Sequence, residues 1–303
     1  MILNIIGEHK TGKSTLSMFL AKALEKNEKQ VCIVYLDKNC PKSYVCPDHL
    51  KYTYSIGYLL TKEKAASRID IFKAMMPITD NIAIISFAFG DFIKKFPELK
   101  EERFTEFLYI LKNMVDEVII VSGDDFNLIS TKVAYREADI VLKVYEAKLS
   151  LISYEETYKN TIFNDKDFDT NKEKLLFNKI REWQNVIKYT TALKKTDYFS
   201  LPYLSQIEEN SDNYTMDLKF RLHEEKKFLR EFNRLLYYLY NIDTAEINIK
   251  EEEIVKEANK EVIDKPINEG KTEKKKFEFN LFKKKDAEEL EEMPKKKTLE
   301  DDF

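Results

Sequence analysis

The chain contains little glycine, proline, cysteine or tryptophan: six, seven, three and one among 303 residues. So little glycine and proline excludes collagen-like chains and flexible linkers of the usual composition. No stretch approaches the run of about 18 apolar residues that is typical of a membrane-spanning helix, and the first strand begins without the charged region and cleavage site of a signal peptide. An odd number of cysteines suits a reducing compartment. These absences predict a cytoplasmic protein.

The composition divides the chain into two parts. Hydrophobic residues make up 43% of the chain, enough for a sizeable core, and charged residues make up 34%, above the usual quarter. Beyond about residue 245, acidic and lysine runs alternate without a sustained apolar pattern. We therefore expect one folded domain over residues 1–243 and a disordered tail over 244–303. The formal net charge of −4 argues against a protein that coats nucleic acid.

Short apolar segments alternate with amphipathic ones throughout the first part. Strands are predicted at residues 2–6, 30–37, 82–87, 118–121, 140–145 and 198–201, and helices at 14–27, 55–62, 101–114, 127–137, 150–162 and 219–240. Residues 66–76 are ambiguous, and 174–177 is either a short strand or part of a helix over 183–193. This alternation is typical of βαβ units. We predict an α/β fold, a mostly parallel sheet flanked by helices.

The first turn of the chain carries the most specific signal. Gly7 and Gly12-Lys13-Ser14 fit the phosphate-loop pattern G-x-x-x-x-G-K-[ST], with an apolar strand before them and a helical run after them. That setting distinguishes a nucleotide loop from an ordinary tight turn. The glycines allow backbone N–H groups to point at phosphates, which the positive end of the helix dipole also attracts. Lys13 is expected to reach the β and γ phosphates, and Ser14 to bind Mg²⁺.

The order of the motifs resembles the MinD/ParA family of P-loop ATPases, and within it the CpaE/TadZ branch found with pilus and secretion machinery. The resemblance covers about residues 1–240, and after the loop it rests on the segments 31–38, 115–121, 135–142, 151–162 and 199–203. It implies that ATP and Mg²⁺ are bound. The residues that it assigns to the phosphates are Gly7, Lys10, Thr11, Gly12, Lys13, Ser14 and Thr15. Asp37 then lies near the γ phosphate and the attacking water, and Asn178 and Pro202 lie on the adenine side.

The sequence also departs from that family at three positions. The family's D-x-D pair after the second strand is reduced here to Tyr35-Leu36-Asp37. The second lysine of the family's loop, which follows the first glycine and reaches across a dimer, is Glu8 here, while Lys10 either contacts a phosphate or is solvated. Val121 stands where the Mg²⁺-linked aspartate ends a strand, and Asp124 is either its substitute or a helix cap. Losing such a carboxylate weakens Mg²⁺ ordering. We therefore predict ATP binding with weak or no hydrolysis, in which Lys10 and Asp37 are the candidate catalytic residues.

The resemblance implies a switch protein that positions or assembles a membrane-associated machine, such as a pilus, secretion or conjugation apparatus. A homodimer and a protein partner are expected, DNA is a less favoured ligand, and peripheral attachment at the inner face of the membrane is compatible with the sequence. Residues 274–285, apolar between lysine triplets, are a lipid contact, a partner contact or simply disordered. The alternatives are an active partition ATPase that segregates DNA and a scaffold with a residual nucleotide site.

One further stretch combines aromatic and basic residues. It contains Trp183, Ile187 and Lys188, in a segment with helical spacing. The segment is compatible with an amphipathic helix that packs Trp183 and Ile187 inward and with a nucleic-acid contact. The spacing favours the packed helix.

Overall fold

The computed structural model describes residues 1–36, 54–61, 66–87, 100–123, 129–162, 168–205, 207 and 226–242. The strands are β1 Ile2–Ile6, β2 Val31–Tyr35, β3 Met76–Pro77, β4 Ile82–Ser86, β5 Glu117–Val121, β6 Ile140–Tyr145, β7 Glu173–Ile180 and β8 Tyr198–Pro202. The helices are α1 Lys13–Lys26, α2 Ile56–Thr61, α3 Arg68–Ala74, α4 Glu101–Lys112, α5 Ile129–Glu137, α6 Ser150–Ile162, α7 Val186–Leu193 and α8 Lys226–Tyr240, with a 3₁₀ turn at Thr170–Lys172.

The eight strands form a single sheet in the order β3-β4-β2-β5-β1-β6-β7-β8. Only the two-residue β3 runs antiparallel to its neighbour, and every other pairing is parallel. β1, β2 and β4 are buried along their whole length, as expected for parallel strands that helices cover on both faces. The prediction of a mostly parallel α/β fold is confirmed.

Each face of the sheet has its own apolar layer. On one face, α1 covers the central strands and α8 packs on the edge strand β8; Phe19 of α1 lies 5.8 Å and 6.0 Å from the rings of Phe228 and Phe232. On the other face, α2 to α5 cover the β4 side and α6 and α7 cover the β7 side. The apolar face predicted for the closing helix is confirmed, since Phe228, Phe232, Leu235, Leu236 and Leu239 are all buried.

Several segments differ from the sequence-based expectation. Residues 173–180 form an eight-residue strand between β6 and β8, and not part of a helix. Residues 66–76 divide into α3, which begins with a Ser67–Asp70 capping box, and the edge strand β3. The described residues include no helix long and apolar enough to cross a membrane. The predicted tail over 244–303 lies outside them.

The inward packing predicted for Trp183 and Ile187 is wrong, because their side chains are 77% and 64% exposed. The helix packs through Val186, Tyr189 and Leu193 instead. Ile187 follows Val186 by one residue, about 100° around an α-helix, so it points away from that contact. Trp183 precedes the helix, in the turn that follows β7.

Candidate functional site

The phosphate-loop sequence lies between β1 and α1 and has an unusual backbone. Gly7 has φ of 145° and Gly12 has φ of 89°, and Lys10 also has a positive φ, 64°. A Cβ atom at Gly7 would lie 2.0 Å from the carbonyl oxygen of Val144 on the neighbouring strand β6. Glycine is therefore required at position 7 both by backbone conformation and by the close approach of β6.

The side chain of Lys13 hydrogen-bonds to backbone carbonyls of its own loop. Its side chain is buried, and its Nζ donates hydrogen bonds of 2.7 Å to the carbonyl oxygens of Gly7 and Glu8. The Thr11 hydroxyl donates to the Glu8 carbonyl at 3.0 Å. The helix begins here, since the N–H of Leu16 donates to the carbonyl of Gly12 at 2.9 Å. The first-turn N–H groups of α1 therefore face the loop with their positive dipole end, an arrangement suited to an anion.

Ser14 and Thr15 lie in the first turn of α1 and are both partly exposed, while Thr11 is buried and Lys10 is exposed. The structure thus brings the seven predicted phosphate residues together in one short loop and helix start. Their roles toward a nucleotide stay a prediction. His9 is also exposed.

Two side chains at the end of β7 donate hydrogen bonds to the backbone of the loop, and we call these two contacts the brace. Asn178 donates from Nδ2 to the carbonyl oxygen of Thr11 at 2.8 Å, and Lys179 donates from Nζ to the carbonyl oxygen of Lys10 at 2.8 Å. Lys179 has a positive φ of 57°, at a register shift in the pairing of β7 with β8. Asn178, expected beside the adenine, therefore contacts the loop directly. Pro202 ends β8, the strand beyond β7 from the loop.

Two carboxylates, those of Glu146 and Glu8, make further contacts around the loop. Glu146, which follows β6, forms ion pairs with Lys179 at 3.2 Å and with Lys148. Partial burial acts to raise the pKa of the Glu146 carboxyl, but the two lysines outweigh it and the pKa is lowered. Glu8 accepts a hydrogen bond of 3.2 Å from Ser150 at the start of α6. The sequence offers no signal for the role of Lys179, because Lys10 lies 169 residues away along the chain.

Two buried residues stand where the family pattern has carboxylates. The hydroxyl of Tyr35, at the end of β2, lies 3.0 Å from Ser17 Oγ and 3.5 Å from the carbonyl oxygen of Ser14. Val121, at the end of β5, is 1% exposed, and it lies in the apolar layer that includes the buried side of α1. A phenol and an aliphatic side chain thus occupy the β2 and β5 ends beside the predicted Mg²⁺ position.

The described residues supply only part of a magnesium site. They contain no group of three or more His, Cys, Asp or Glu side chains placed to hold a metal ion, and Asp37 and Asp124 lie outside them. Magnesium in nucleotide sites usually keeps several waters and binds through one or two protein ligands together with substrate phosphates. The Ser14 hydroxyl fits that minimal role.

A second polar cluster lies buried behind the loop, between β6, β7 and α6. Lys143, which pairs with Ile6 in the β1–β6 register, forms ion pairs with Glu155 and, at 3.5 Å, with Glu173. Its Nζ also lies 3.8 Å from the ring centroid of Tyr158. All three charged side chains are at most 7% exposed. We call these residues, with Tyr135, Tyr145 and Tyr158, the buried ion cluster.

Tyrosine hydroxyls complete the cluster. Tyr145 donates to Glu155, and Tyr158 and Tyr135 both donate to Glu173. Burial, followed by the nearby carboxylates, raises the pKa of each of these tyrosines above its ordinary value. They therefore stay protonated and act as hydrogen-bond donors.

No protein-family model matches the sequence, and no curated protein is significantly similar to it. Solved structures do resemble the fold. A ParA family ATPase from Chlorobium tepidum superposes with a TM-score of 0.65 at 11% identity, covering 78% of this chain and 99% of that one. A putative plasmid partition protein from Borrelia burgdorferi bound to AMPPNP gives 0.61 at 18%, covering 80% and 99%. MinD from Pyrococcus horikoshii complexed with Mg-ADP gives 0.59 at 16%, covering 79% and 95%. The chain has the fold of the ParA/MinD P-loop ATPases.

Proposed function

We propose that the protein is an ATP-binding switch of the MinD/ParA type, close to the CpaE/TadZ branch, that hydrolyses ATP slowly or not at all. The observation that carries the proposal is the loop itself. Gly7, Lys13 and the start of α1 form a closed loop whose backbone is held by Asn178 and Lys179. A preorganised anion site of this kind needs little rearrangement when a phosphate enters.

Lys13 supplies the charge for the phosphates. Without a nucleotide its ammonium group is satisfied by the Gly7 and Glu8 carbonyls, and these contacts would be exchanged for oxygens of the β and γ phosphates. Ser14, at the first turn of α1, would hold a Mg²⁺ ion that arrives with ATP. The AMPPNP and Mg-ADP complexes of the two similar folds support this choice of ligand.

Weak hydrolysis follows from the two replaced carboxylates. Phosphoryl transfer depends on charge neutralisation by the metal and on a positioned water. With Tyr35 and Val121 at the ends of β2 and β5, neither of these positions offers a carboxylate to a metal-bound water. Asp37 and Asp124 remain candidates for the γ-phosphate side and the metal. ATP would then act mainly by ordering loops and closing a homodimer.

The biological role that we propose is to position or assemble a membrane-associated machine such as a pilus, secretion or conjugation apparatus. The support is the motif resemblance, together with residues 274–285 as a sequence-level candidate for membrane or partner contact. Localisation would be cytoplasmic and peripheral at the inner face of the membrane.

Isothermal titration of the full chain with ATP and Mg²⁺ tests the nucleotide proposal. We expect saturable heat for the wild type and binding weaker by about tenfold or more for Lys13→Ala, because hydrogen bonds to charged groups contribute about 1.5–3 kcal/mol. Lys29→Ala is the matched control, since this exposed lysine follows the far end of α1. If the wild type gives no heat and no thermal shift, the nucleotide proposal is refuted and the scaffold alternative replaces it.

A turnover assay separates a switch from an active ATPase. Wild type and Asp37→Ala are expected to bind ATP equally and to release phosphate at similarly low rates. Fast release that Asp37→Ala abolishes would contradict the proposal. If DNA retention that falls steeply with salt accompanied it, the partition alternative would be favoured.

A further inference from the structure

Three large apolar side chains are exposed together beside the loop. Leu149, Trp183 and Ile187 are 78%, 77% and 64% exposed. Leu149 immediately precedes α6, and the other two residues flank the start of α7. Gln184 ties the two loops together by donating from Nε2 to the carbonyl oxygen of Ala147 at 3.0 Å. We call these three residues the apolar edge patch.

The exposure of these side chains follows from the way α6 and α7 pack. Helices α6 and α7 pack against each other, and α7 buries Leu193 and partly buries Val186 and Tyr189 against the sheet. Ile187 and Lys188 therefore face outward. Single exposed apolar residues are common on protein surfaces, but three at the starts of two adjacent helices form a patch of the kind that marks an interaction surface.

The surroundings of the patch are basic. Residues 181–195 contain four cations, Arg181, Lys188, Lys194 and Lys195, against the single carboxylate of Glu182, and all five side chains are exposed. Lys148 lies next to Leu149; it is exposed and forms an ion pair with the more buried Glu146. Arg181 stacks 4.8 Å from the ring of Tyr203, which keeps its guanidinium at this edge.

We propose that the apolar edge patch is a membrane-contact surface that inserts Leu149, Trp183 and Ile187 into the interface of an anionic bilayer. Tryptophan prefers the headgroup region, where one part of its ring is apolar and its N–H is solvated. Aliphatic side chains gain by entering the acyl boundary, while lysines and arginines beside them keep their charged ends at anionic headgroups. A nucleic-acid face would need stacking rings in place of Leu149 and Ile187.

This surface is separate from the nucleotide switch. No residue of the patch contacts the loop through a described hydrogen bond, and lipid binding through it requires neither ATP nor hydrolysis. A chain that binds vesicles but not ATP would retain this inference and refute the proposed function. A chain that binds ATP but not vesicles would refute this inference and retain the proposed function.

Trp183 provides the test, because it is the only tryptophan in the chain. With the full-length protein, vesicles containing phosphatidylglycerol are expected to shift its emission to shorter wavelength and to protect it from acrylamide. Pure phosphatidylcholine vesicles should have little effect, and added salt should weaken the response. Vesicle sedimentation with unchanged Trp183 emission would place attachment elsewhere in the chain and overturn the inference.

Two variants make the test specific. Leu149→Ser combined with Ile187→Ser keeps the tryptophan and should weaken vesicle binding by about tenfold or more. Tyr109→Ser removes an equally exposed side chain, 71% exposed on α4, and should leave binding unchanged. Equal losses in both would overturn the inference. So would an emission shift that grows with protein concentration without vesicles, or one that only oligonucleotides produce, because the face would then belong to a second copy or to nucleic acid.

Discussion

Replacing Lys143 by methionine should destabilise the protein far more than removal of a surface lysine. The change preserves length and most of the volume of the side chain but removes the only cation of the buried ion cluster as defined here. Glu155 and Glu173 would then remain buried with tyrosine hydroxyls as partners and no positive charge. Breaking a buried ion pair by removing one partner costs about 3–5 kcal/mol.

The details of the structure place the expected value within that range. Lys143 and Glu173 are each only 5% exposed, so little solvent screens them. The contact of Lys143 with the Tyr158 ring at 3.8 Å would be lost as well, about 1–2 kcal/mol at a desolvated site. The tyrosine donors lower the loss, because they still bind the carboxylates. We therefore expect the free energy of unfolding to fall by about 3–5 kcal/mol at neutral pH.

Urea unfolding monitored by circular dichroism measures the change. Lys174→Met on the neighbouring strand is the control, because its partner Asp197 is 67% exposed and 3.8 Å away, and such a pair contributes at most about 1 kcal/mol. Adding Glu155→Gln and Glu173→Gln to Lys143→Met should recover most of the loss, since no buried charge then remains. A loss below about 1 kcal/mol for Lys143→Met, or no recovery in the triple variant, would refute the reasoning.

Three further outcomes are expected. Gly7→Ala should abolish nucleotide binding and lower the melting temperature, because its Cβ would lie 2.0 Å from the Val144 carbonyl oxygen; normal titration heat would contradict this. Asn178→Ala should weaken ATP binding several-fold in the same titration by freeing the Thr11 carbonyl, and Asn185→Ala, outside the loop, is its control. Asp139 has a lowered pKa because the Ile2 N–H and Lys112 outweigh partial burial. Its contribution is therefore present above the unfolded pKa and lost as the pH falls. Asp139→Asn should reduce stability at pH 7 by less than about 1 kcal/mol and by still less in acid, as urea midpoints at the two pH values would show; an equal loss in acid would exclude the charge as the cause.

The sequence predicts the fold where the apolar pattern is local. The bounds of β1, β6 and α6 agree with the expectation, because each is a run with one clear period that ends at polar or loop residues. At β7 the sequence leaves strand and helix open, because the eight residues of this strand include Glu173, Lys174, Asn178 and Lys179. These polar side chains are tolerated because each has a partner elsewhere in the fold: Glu173 binds Lys143 and Tyr135, Lys174 pairs with Asp197, and Asn178 and Lys179 bind loop carbonyls. No local pattern reveals these contacts.

The candidate site shows the same limit. The spacing of Gly7, Gly12 and Lys13 predicts the loop, since one short segment contains all its parts. The hydrogen bonds from Asn178 and Lys179 join residues 167 and 169 positions apart in the chain, and they become visible only once the sheet is assembled. The exposure of Trp183 likewise depends on which side of α7 meets the sheet.

The strand order places the residues that would serve nucleotide binding and those that would serve hydrolysis on opposite sides of β1. On one side of β1 lie β6 and β7, which supply Glu146, Asn178 and Lys179 to the loop; on the other side lie β5 and β2, which end in Val121 and Tyr35. Binding and chemistry would therefore draw on opposite halves of the sheet. Among the described residues, Asn178 and Lys179 of the first half bind the loop carbonyls of Thr11 and Lys10, whereas Tyr35 of the second half contacts Ser14 and Ser17 in α1. Val121→Asp should not create an ATPase, because Val121 is 1% exposed in an apolar layer, where an unpaired carboxylate is costly. We expect a lower melting temperature without faster phosphate release, and Val121→Thr is the milder control. A stable, fast Val121→Asp variant would show that the β5 end is open to the metal, and the separation between the two halves would then be wrong.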